Sequence, residues 1–354
     1  MLKRIILVGF SAFGSLACNT GPVIDGTVVA ETDFQEVRQL RGTVCDLRIE
    51  GNPNHIYKVD SCLVVKDNNT DKSLFLYSEK DYRLLNNILS RGRGPGEYIL
   101  CWDLQCADSL VWLFDLQLGR ISSYATADFI AASHPAQLET ITFDAVGVTL
   151  AQKMNNGRFV SSSLREDELF TFYRQDGVRD TLSAWKAAYP FTFPGMEDVS
   201  RMVKKRIFEY RLRYNGLNDK FVLFYCLNNI FEIYHSDGRL HKRILTPYPY
   251  LVDTNHLTAD KLGVPLDELI FTFKDCCLTD DRIYLLYNGS SPTGMLGAQS
   301  KIYVFDYEGN PIEYYTLDRY AYSFCIDVQK GVIHVLSEEN DQKQIVRYGL
   351  CDRG

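Results

Sequence analysis

Six times along the chain a short apolar run, often aromatic, meets a polar turn, and a second extended run begins. Four copies are strong: LFTFYRQDG (Leu169 to Gly177), IFEIYHSDG (Ile230 to Gly238), IYVFDYEGN (Ile302 to Asn310) and VWLFDLQLG (Val111 to Gly119). Two are weaker: LFLYSEKDY (Leu74 to Tyr82) and QIVRYGLCD (Gln344 to Asp352). Aromatic and β-branched residues suit a pleated, buried surface, and Asp-Gly or Glu-Gly suits a tight turn. The repeat is therefore a β-hairpin, and its spacing fits four-stranded units of roughly 40–50 residues with some long insertions.

A lone four-stranded sheet cannot cover both of its apolar faces; sheets packed round an axis bury them against each other. The fold expected is all-β, a six-bladed β-propeller, with five or seven blades left open by the spacing. The copy at Val111 reads as the second strand of its blade and the others as the third. The C-terminal unit offers only three strand-like runs: Tyr322 to Val328, Val332 to Ser337 and Gln344 to Tyr348. The stretch Phe34 to Ile49 alternates like a strand and has no blade of its own, so it is expected to complete the last blade and close the ring. The only helix expected, Met196 to Tyr210, could equally be a loop followed by a strand.

The repeat spans most of the 354 residues without a Pro/Ser-rich linker, which argues for one domain over residues 34–354. Hydrophobic residues make up 46%, with 22 Tyr and 20 Phe, enough for face-to-face packing of sheets. A net charge of −7 argues against nucleic acid as the partner. The one basic cluster, Lys204, Lys205, Arg206, Arg211 and Arg213, reads as a solvated edge.

Lys3 and Arg4 precede an apolar run from Ile5 to Phe13 and then Ser15, Leu16, Ala17 and Cys18. A charged start, a short apolar core and small residues make a secretory signal over residues 1–18, and the run is too short to span a bilayer. Cys18 resembles the lipidated Cys of a bacterial lipobox, although Ser15 stands where Leu is usual. Residues 19–33 would then be a tether, and the membrane a partner through the anchor. The expected location is the cell envelope, on the periplasmic or surface side of the outer membrane. Nine further Cys lack zinc or CxxC spacing and mostly sit in apolar runs, where a thiol behaves as a small hydrophobe.

SRGRGPGEY (Ser90 to Tyr98) is the sharpest local motif. Pro95 and the strand-like run after it exclude a phosphate loop at a helix N-terminus. Arg91, Gly92, Arg93, Gly94, Pro95, Gly96, Glu97 and Tyr98 instead read as a shaped crossover between blades, on the face where propellers commonly bind ligands. The run Gly92 to Tyr98 resembles the GxGPGEY motif of the TolB-like six-bladed propeller lipoproteins of Bacteroidetes. The resemblance extends from Phe34 to the C-terminus and implies fold and export without implying a reaction.

Asp60, Asp103, Asp144, Asp275 and Asp327 recur around the expected innermost strands. Convergent carboxylates could hold a divalent cation or act as acid and base; at strand ends they would simply cap turns. No GxSxG, HExxH or EF-hand loop is present. The functional expectation is a binding or interaction module for an unknown protein or carbohydrate ligand. The alternatives are a metal-assisted hydrolase or lyase acting on a sugar or lactone in the channel, and a structural subunit of an envelope assembly.

Overall fold

In the computed structural model the described residues are 24–350, apart from residues 48, 50, 145–146, 165–166, 182–186, 247–250, 255–257, 259–260, 262–264, 266 and 295–297. The signal-like segment, Cys18 and Cys351 lie outside them.

Three short strands come first: β1 (Thr27–Val28), β2 (Glu36–Leu40) and β3 (Thr43–Val44). The first blade is β4 (His55–Val59), β5 (Cys62–Lys66), β6 (Lys72–Ser78) and β7 (Leu84–Ser90). The second is β8 (Cys101–Ala107), β9 (Leu110–Asp115), β10 (Arg120–Ala125) and β11 (Gln137–Thr142), with helix α1 (Thr126–Ala131) before its last strand. The third blade has three strands: β12 (Val148–Lys153), β13 (Phe159–Ser163) and β14 (Thr171–Tyr173). The fourth follows helix α2 (Arg201–Ile207) and holds β15 (Tyr210–Asn215), β16 (Lys220–Tyr225), β17 (Ile230–His235) and β18 (Leu240–Leu245). The fifth is β19 (Phe271–Leu278), β20 (Ile283–Ser290), β21 (Lys301–Phe305) and β22 (Pro311–Leu317). The sixth is β23 (Ser323–Asp327), β24 (Val332–Glu339) and β25 (Gln342–Gly349).

The protein is a six-bladed β-propeller. The first strand of each blade is innermost: β8, β12, β15, β19, β23 and β4 lie side by side in that order around a central channel. All six begin on the same face. That face also carries the connections from each outer strand to the next blade, and the loops between second and third strands.

The expected hairpins are the turns after β14, β17 and β21, and each is built alike. Asp176, Asp237 and Asp306 accept backbone N–H bonds two residues on, at 3.1, 2.9 and 2.9 Å. Gly177, Gly238 and Gly309 take the positive φ the turn requires (80°, 94° and 77°). Gly177 is further constrained, since a Cβ there would lie 2.2 Å from the Thr142 carbonyl oxygen of the neighbouring blade. Aromatic residues fill the gaps between blades: Phe170 meets Tyr234 at 4.9 Å and Phe143 meets Tyr173 at 5.0 Å between ring centroids. Of the expected helix, residues 201–207 are helical and Tyr210 already opens a strand.

The N-terminal stretch departs from expectation. Among the described residues only Thr43 to Cys45 pair with the last blade, antiparallel to β25 through Val346 and Arg347, with Cys45 N donating to Ile345 O at 2.9 Å. Glu36–Leu40 runs parallel to β22 as a fifth strand of the fifth blade, and Thr27–Val28 runs parallel to β18 in the fourth. The segment is a belt across three outer edges. Phe34 fastens it, with its ring 5.3–5.4 Å from those of Tyr303, Phe305 and Tyr314. The break between the fifth and sixth blades falls at Gly42. A Cβ there would lie 2.3 Å from Val346 Cγ1 and 2.7 Å from the Tyr348 ring, so the chain can pass this close only without a side chain.

Candidate functional site: the central channel

Inner strands put alternate side chains into the channel, and bulges decide where the alternation breaks. Register shifts fall between Cys101 and Asp103 in β8 and between Phe273 and Asp275 in β19. Consecutive residues at these points, Trp102 with Asp103 and Lys274 with Asp275, thereby both join the channel's charged network.

Across the middle of the channel lies Arg213 of β15. Its Nη1 is 2.9 Å from Asp103 Oδ2, and its Nη2 is 3.6 Å from Asp275 Oδ1. Gln152 Nε2 donates to Asp103 Oδ2 at 2.8 Å, and Ser323 Oγ donates to Asp275 Oδ2 at 2.5 Å. Five blades thus meet in one network. Burial alone would lower the Arg213 pKa, but Asp103 and Asp275 outweigh it and hold the guanidinium above its ordinary value.

On the side where the inner strands end is a pocket of about 300 Å³, bordered by Tyr57, Gln105, Gln152, Arg213, Asp275 and Cys276 among others. The buried Tyr57 hydroxyl there has no hydrogen-bond partner. Beyond it, Asp327 lies 3.5 Å from Lys58 and 3.3 Å from Lys330. Burial would raise the Asp327 pKa, but hydrogen bonds from Lys330 and the Lys58 charge hold it below the usual carboxylate value.

On the opposite side, where the inner strands begin, the charge is reversed. Lys66 and Arg211 lie against Trp102, and His55 and Lys274 stand close to Arg211. Lys66 is 1% exposed; its Nζ donates to the Trp102 carbonyl oxygen and stands 5.6 Å from the indole centroid. The Arg211 guanidinium is 5.9 Å from the same ring, and its Nη1 donates to His55 Nε2 at 2.7 Å. That bond fixes the proton on His55 Nδ1, which faces Asn54 Oδ1 at 3.0 Å. Burial, and then the charges of Lys66, Arg211, Arg213 and Lys274, push the His55 pKa well below the ordinary histidine value. Burial, countered by Cys101 and Asp103 and reinforced by Arg211 and Arg213, brings Lys66 down to about 8. Lys274, with its Nζ 4.6 Å from the Phe271 ring, is lowered by burial and by Arg211. Among the described residues no carboxylate forms an ion pair with Lys66, Arg211 or Lys274; the nearby Glu209 carboxylate is held by Arg206. Trp102 itself is 38% exposed.

The five Asp do not converge. Asp103 and Asp275 share Arg213. Asp60 sits in the turn after β4 at φ 49°. Asp144 lies in the crossover after β11 and accepts from Arg179 N at 3.3 Å. Asp327 ends β23 in its own lysine pair. Strand-end turn chemistry won at Asp60 and Asp144, which lie beyond the inner strands. No group of three or more His, Cys, Asp or Glu with metal-binding geometry occurs among the described residues. The basic cluster also divides: Arg206 pairs with Glu209, whereas Arg211 and Arg213 are channel residues. The i, i+2 spacing of those two arginines, between apolar neighbours in YRLRY, was the signal that could have placed them.

The glycine motif joins β7 to β8 across the face where the inner strands begin. Glu97 folds back on it, its carboxylate accepting from Gly94 N at 2.8 Å, and a Cβ on Gly92 would lie 1.9 Å from Glu97 Oε2. Gly96 takes φ 75°. Tyr98 is fully buried, its hydroxyl 3.0 Å from that of Tyr124 and its ring 5.6 Å from the Arg120 guanidinium. Arg93 and Pro95 are exposed. Arg91 borders a separate cleft of about 640 Å³, with Asn68, Asn69, Gln117 and Thr149 on its walls. The eight described Cys are free; six are buried, Cys277 is half-buried and Cys106 is exposed.

A ring of six sheets with a charged, partly plugged axis defines the class. A family model described as TolB-like 6-blade propeller-like matches residues 33–329. The chain belongs to that family. Among curated proteins none matches. Solved structures share the fold at low identity. One is a Bacteroides fragilis NCTC 9343 protein whose name marks it as a candidate exported protein (TM-score 0.56, 12% identity, covering 91% of this chain and 99% of that one). Another is a member of the duf4221 family from Bacteroides vulgatus ATCC 8482 (TM-score 0.55, 9% identity, 93% and 97%). A third is a protein of unknown function from Bacteroides thetaiotaomicron VPI-5482 (TM-score 0.52, 11% identity, 87% and 72%).

Proposed function

We propose that this chain is an exported, lipid-anchored propeller that binds a ligand on the face where its inner strands begin. One observation carries the reading: on that face Lys66 and Arg211 stand without a paired carboxylate beside a partly exposed Trp102, with Lys274, likewise without one, close to Arg211. Buried cations without counter-charges are costly, and sites that keep them are disproportionately functional. The loops between second and third strands rise from the same face on a rigid scaffold. Cys18 and the segment before it support export and anchoring, and the name of the Bacteroides fragilis structural relative supports export. The hydrolase or lyase alternative depended on a convergent Asp set, and its two central members are bound to one guanidinium.

The test is a thermal-shift screen on protein lacking residues 1–18, with saccharides, peptides, nucleotides and divalent cations. A ligand that binds only the folded state raises the melting temperature. No shift across such a panel, at millimolar concentrations, would remove the reading. For the anchor, Cys18→Ala should move the protein from the membrane fraction to the soluble one and abolish labelling by radioactive palmitate.

A further inference from the structure

We infer that the channel mouth is an oxyanion site: a carboxylate or phosphate group, carried on a ring-shaped body that lies against Trp102, is held by Lys66, Arg211 and Lys274. The inference rests on the binding-module reading and adds the ligand's chemistry to it.

Three features of the mouth point the same way. The first is charge. The chain is acidic overall, at −7, yet cations gather here without the carboxylates that accompany Arg213 deeper in the channel. Low-dielectric walls around like charges focus the potential outward and raise the local concentration of anions. The second is donor geometry. The Arg211 guanidinium uses Nη1 on His55, so the fork retains further N–H donors, and the Lys66 ammonium gives one of its three protons to the Trp102 carbonyl. The remaining donors on planar Arg and compact Lys suit the oxygens of a carboxylate or phosphate. The third is Trp102. An indole 38% exposed beside two cations is a stacking surface for the apolar face of a sugar or an aromatic ring.

The floor supports this assignment. Two residues further along β15, Arg213 bridges Asp103 and Asp275 and closes the channel at mid-depth. A ligand entering at the mouth therefore meets a plug of one guanidinium and two carboxylates, with its anionic group stopped at the level of Lys66 and Arg211. The groups facing Lys66 are His55 from β4, Cys101, Trp102 and Asp103 from β8, and Arg211 and Arg213 from β15. Asp103 is the acidic member, and it already bonds Arg213 and Gln152. Anion binding should accordingly weaken as the pH rises through about 8, where Lys66 loses its proton.

The experiment compares three ligands with one ring and different substituents: D-glucuronate, D-glucose 6-phosphate and neutral D-glucose. Binding to the full chain in mild detergent is followed by calorimetry at low ionic strength and by tryptophan fluorescence. At least one anion should bind about tenfold or more tighter than glucose, and salt should weaken it. A preference for glucuronate assigns a carboxylated sugar; a preference for the 6-phosphate assigns a phosphate ester. Arg211→Gln and Lys66→Met should each cost about tenfold or more, with Arg211→Lys restoring part of the loss. Lys274→Met, at a half-buried position, serves as a second variant should Arg211→Gln fail to fold. Trp102→Ala should weaken the sugar anions and abolish their fluorescence response. Equal affinity for glucose, undiminished anion binding in the folded variants, or no binding of either anion would overturn the inference. A ligand from the thermal-shift panel that binds wild type and Lys66→Met/Arg211→Gln alike would overturn it and leave the binding-module reading standing.

Discussion

Lys66 shows what the proposed site costs the fold. Its ammonium is buried, and its pKa falls to about 8 from an ordinary 10.5. Between those values the unfolded chain holds a proton that the folded state has released, so this group's contribution to stability rises with pH. Below pH 8 the folded state bears the full penalty, about 3 kcal/mol at 1.36 kcal/mol per pH unit. Lys66→Met removes that penalty and loses one hydrogen bond to the Trp102 carbonyl, about 1 kcal/mol. Urea denaturation at pH 7 should find the variant about 1–2 kcal/mol more stable, with the advantage shrinking as the pH approaches 10.5. A less stable variant at pH 7 would show that Lys66 is not held charged against burial. Gly92 makes a smaller claim. Gly92→Ala should displace the Glu97 carboxylate from Gly94 N and cost about 1 kcal/mol, and a double-mutant cycle with Glu97→Ala should show strong coupling. These residues differ in how readable they were. The glycine motif announced a shaped crossover through its own composition. His55 and Lys66 face each other across the β4–β5 hairpin, but Trp102 and Lys274 belong to two other blades, so only the ring's closure in space brings all four together.

At the scale of elements, the hairpins were the legible part. The copies at Leu169, Ile230 and Ile302 are third strands, and the one at Val111 is a second strand, because aromatic alternation and an Asp-Gly or Glu-Gly turn are local signals. Helix α1 was not anticipated. Its six residues, TADFIA, are too few to carry a helical period, and Phe129 alone is buried among them. The N-terminal stretch was read as one strand because Phe34 to Ile49 alternates like one. What divides it is tertiary: Gly42 slips past Tyr348 while Asp318 accepts its N–H at 3.2 Å. The element's hold on the ring is testable at Phe34, which is 6% exposed. Phe34→Ala should cost about 3 kcal/mol or more in chemical denaturation, and removal of residues 24–44 should cost more still. Equal midpoints for wild type and truncation would show that the belt contributes nothing to stability.

At the scale of the whole molecule, the channel plug is the feature that no single blade determines. Arg213 belongs to the fourth blade, Asp103 to the second and Asp275 to the fifth, and the guanidinium is their common counter-charge. Arg213→Met should leave two carboxylates buried without a cation and cost about 3–5 kcal/mol at pH 7. Urea denaturation of both proteins at pH 7 decides it, and a deficit under about 1 kcal/mol would mean that the plug is not ionic. The opposite charges on the five Asp and on Arg213 were visible as residues; that two of the five answer to one arginine was not.

The belt also bears on how the molecule meets a membrane. Thr27 already lies alongside Ile244 at the outer margin of the fourth blade. With a lipid on Cys18, as proposed, residues 19–23 are the leash that separates it from Ile24, which packs against the core, and five residues reach at most about 16–18 Å when taut. The disc would hang by its rim at one blade, both flat sides swinging free of the lipid, and a tug on the leash would peel a two-residue strand before it strained the ring.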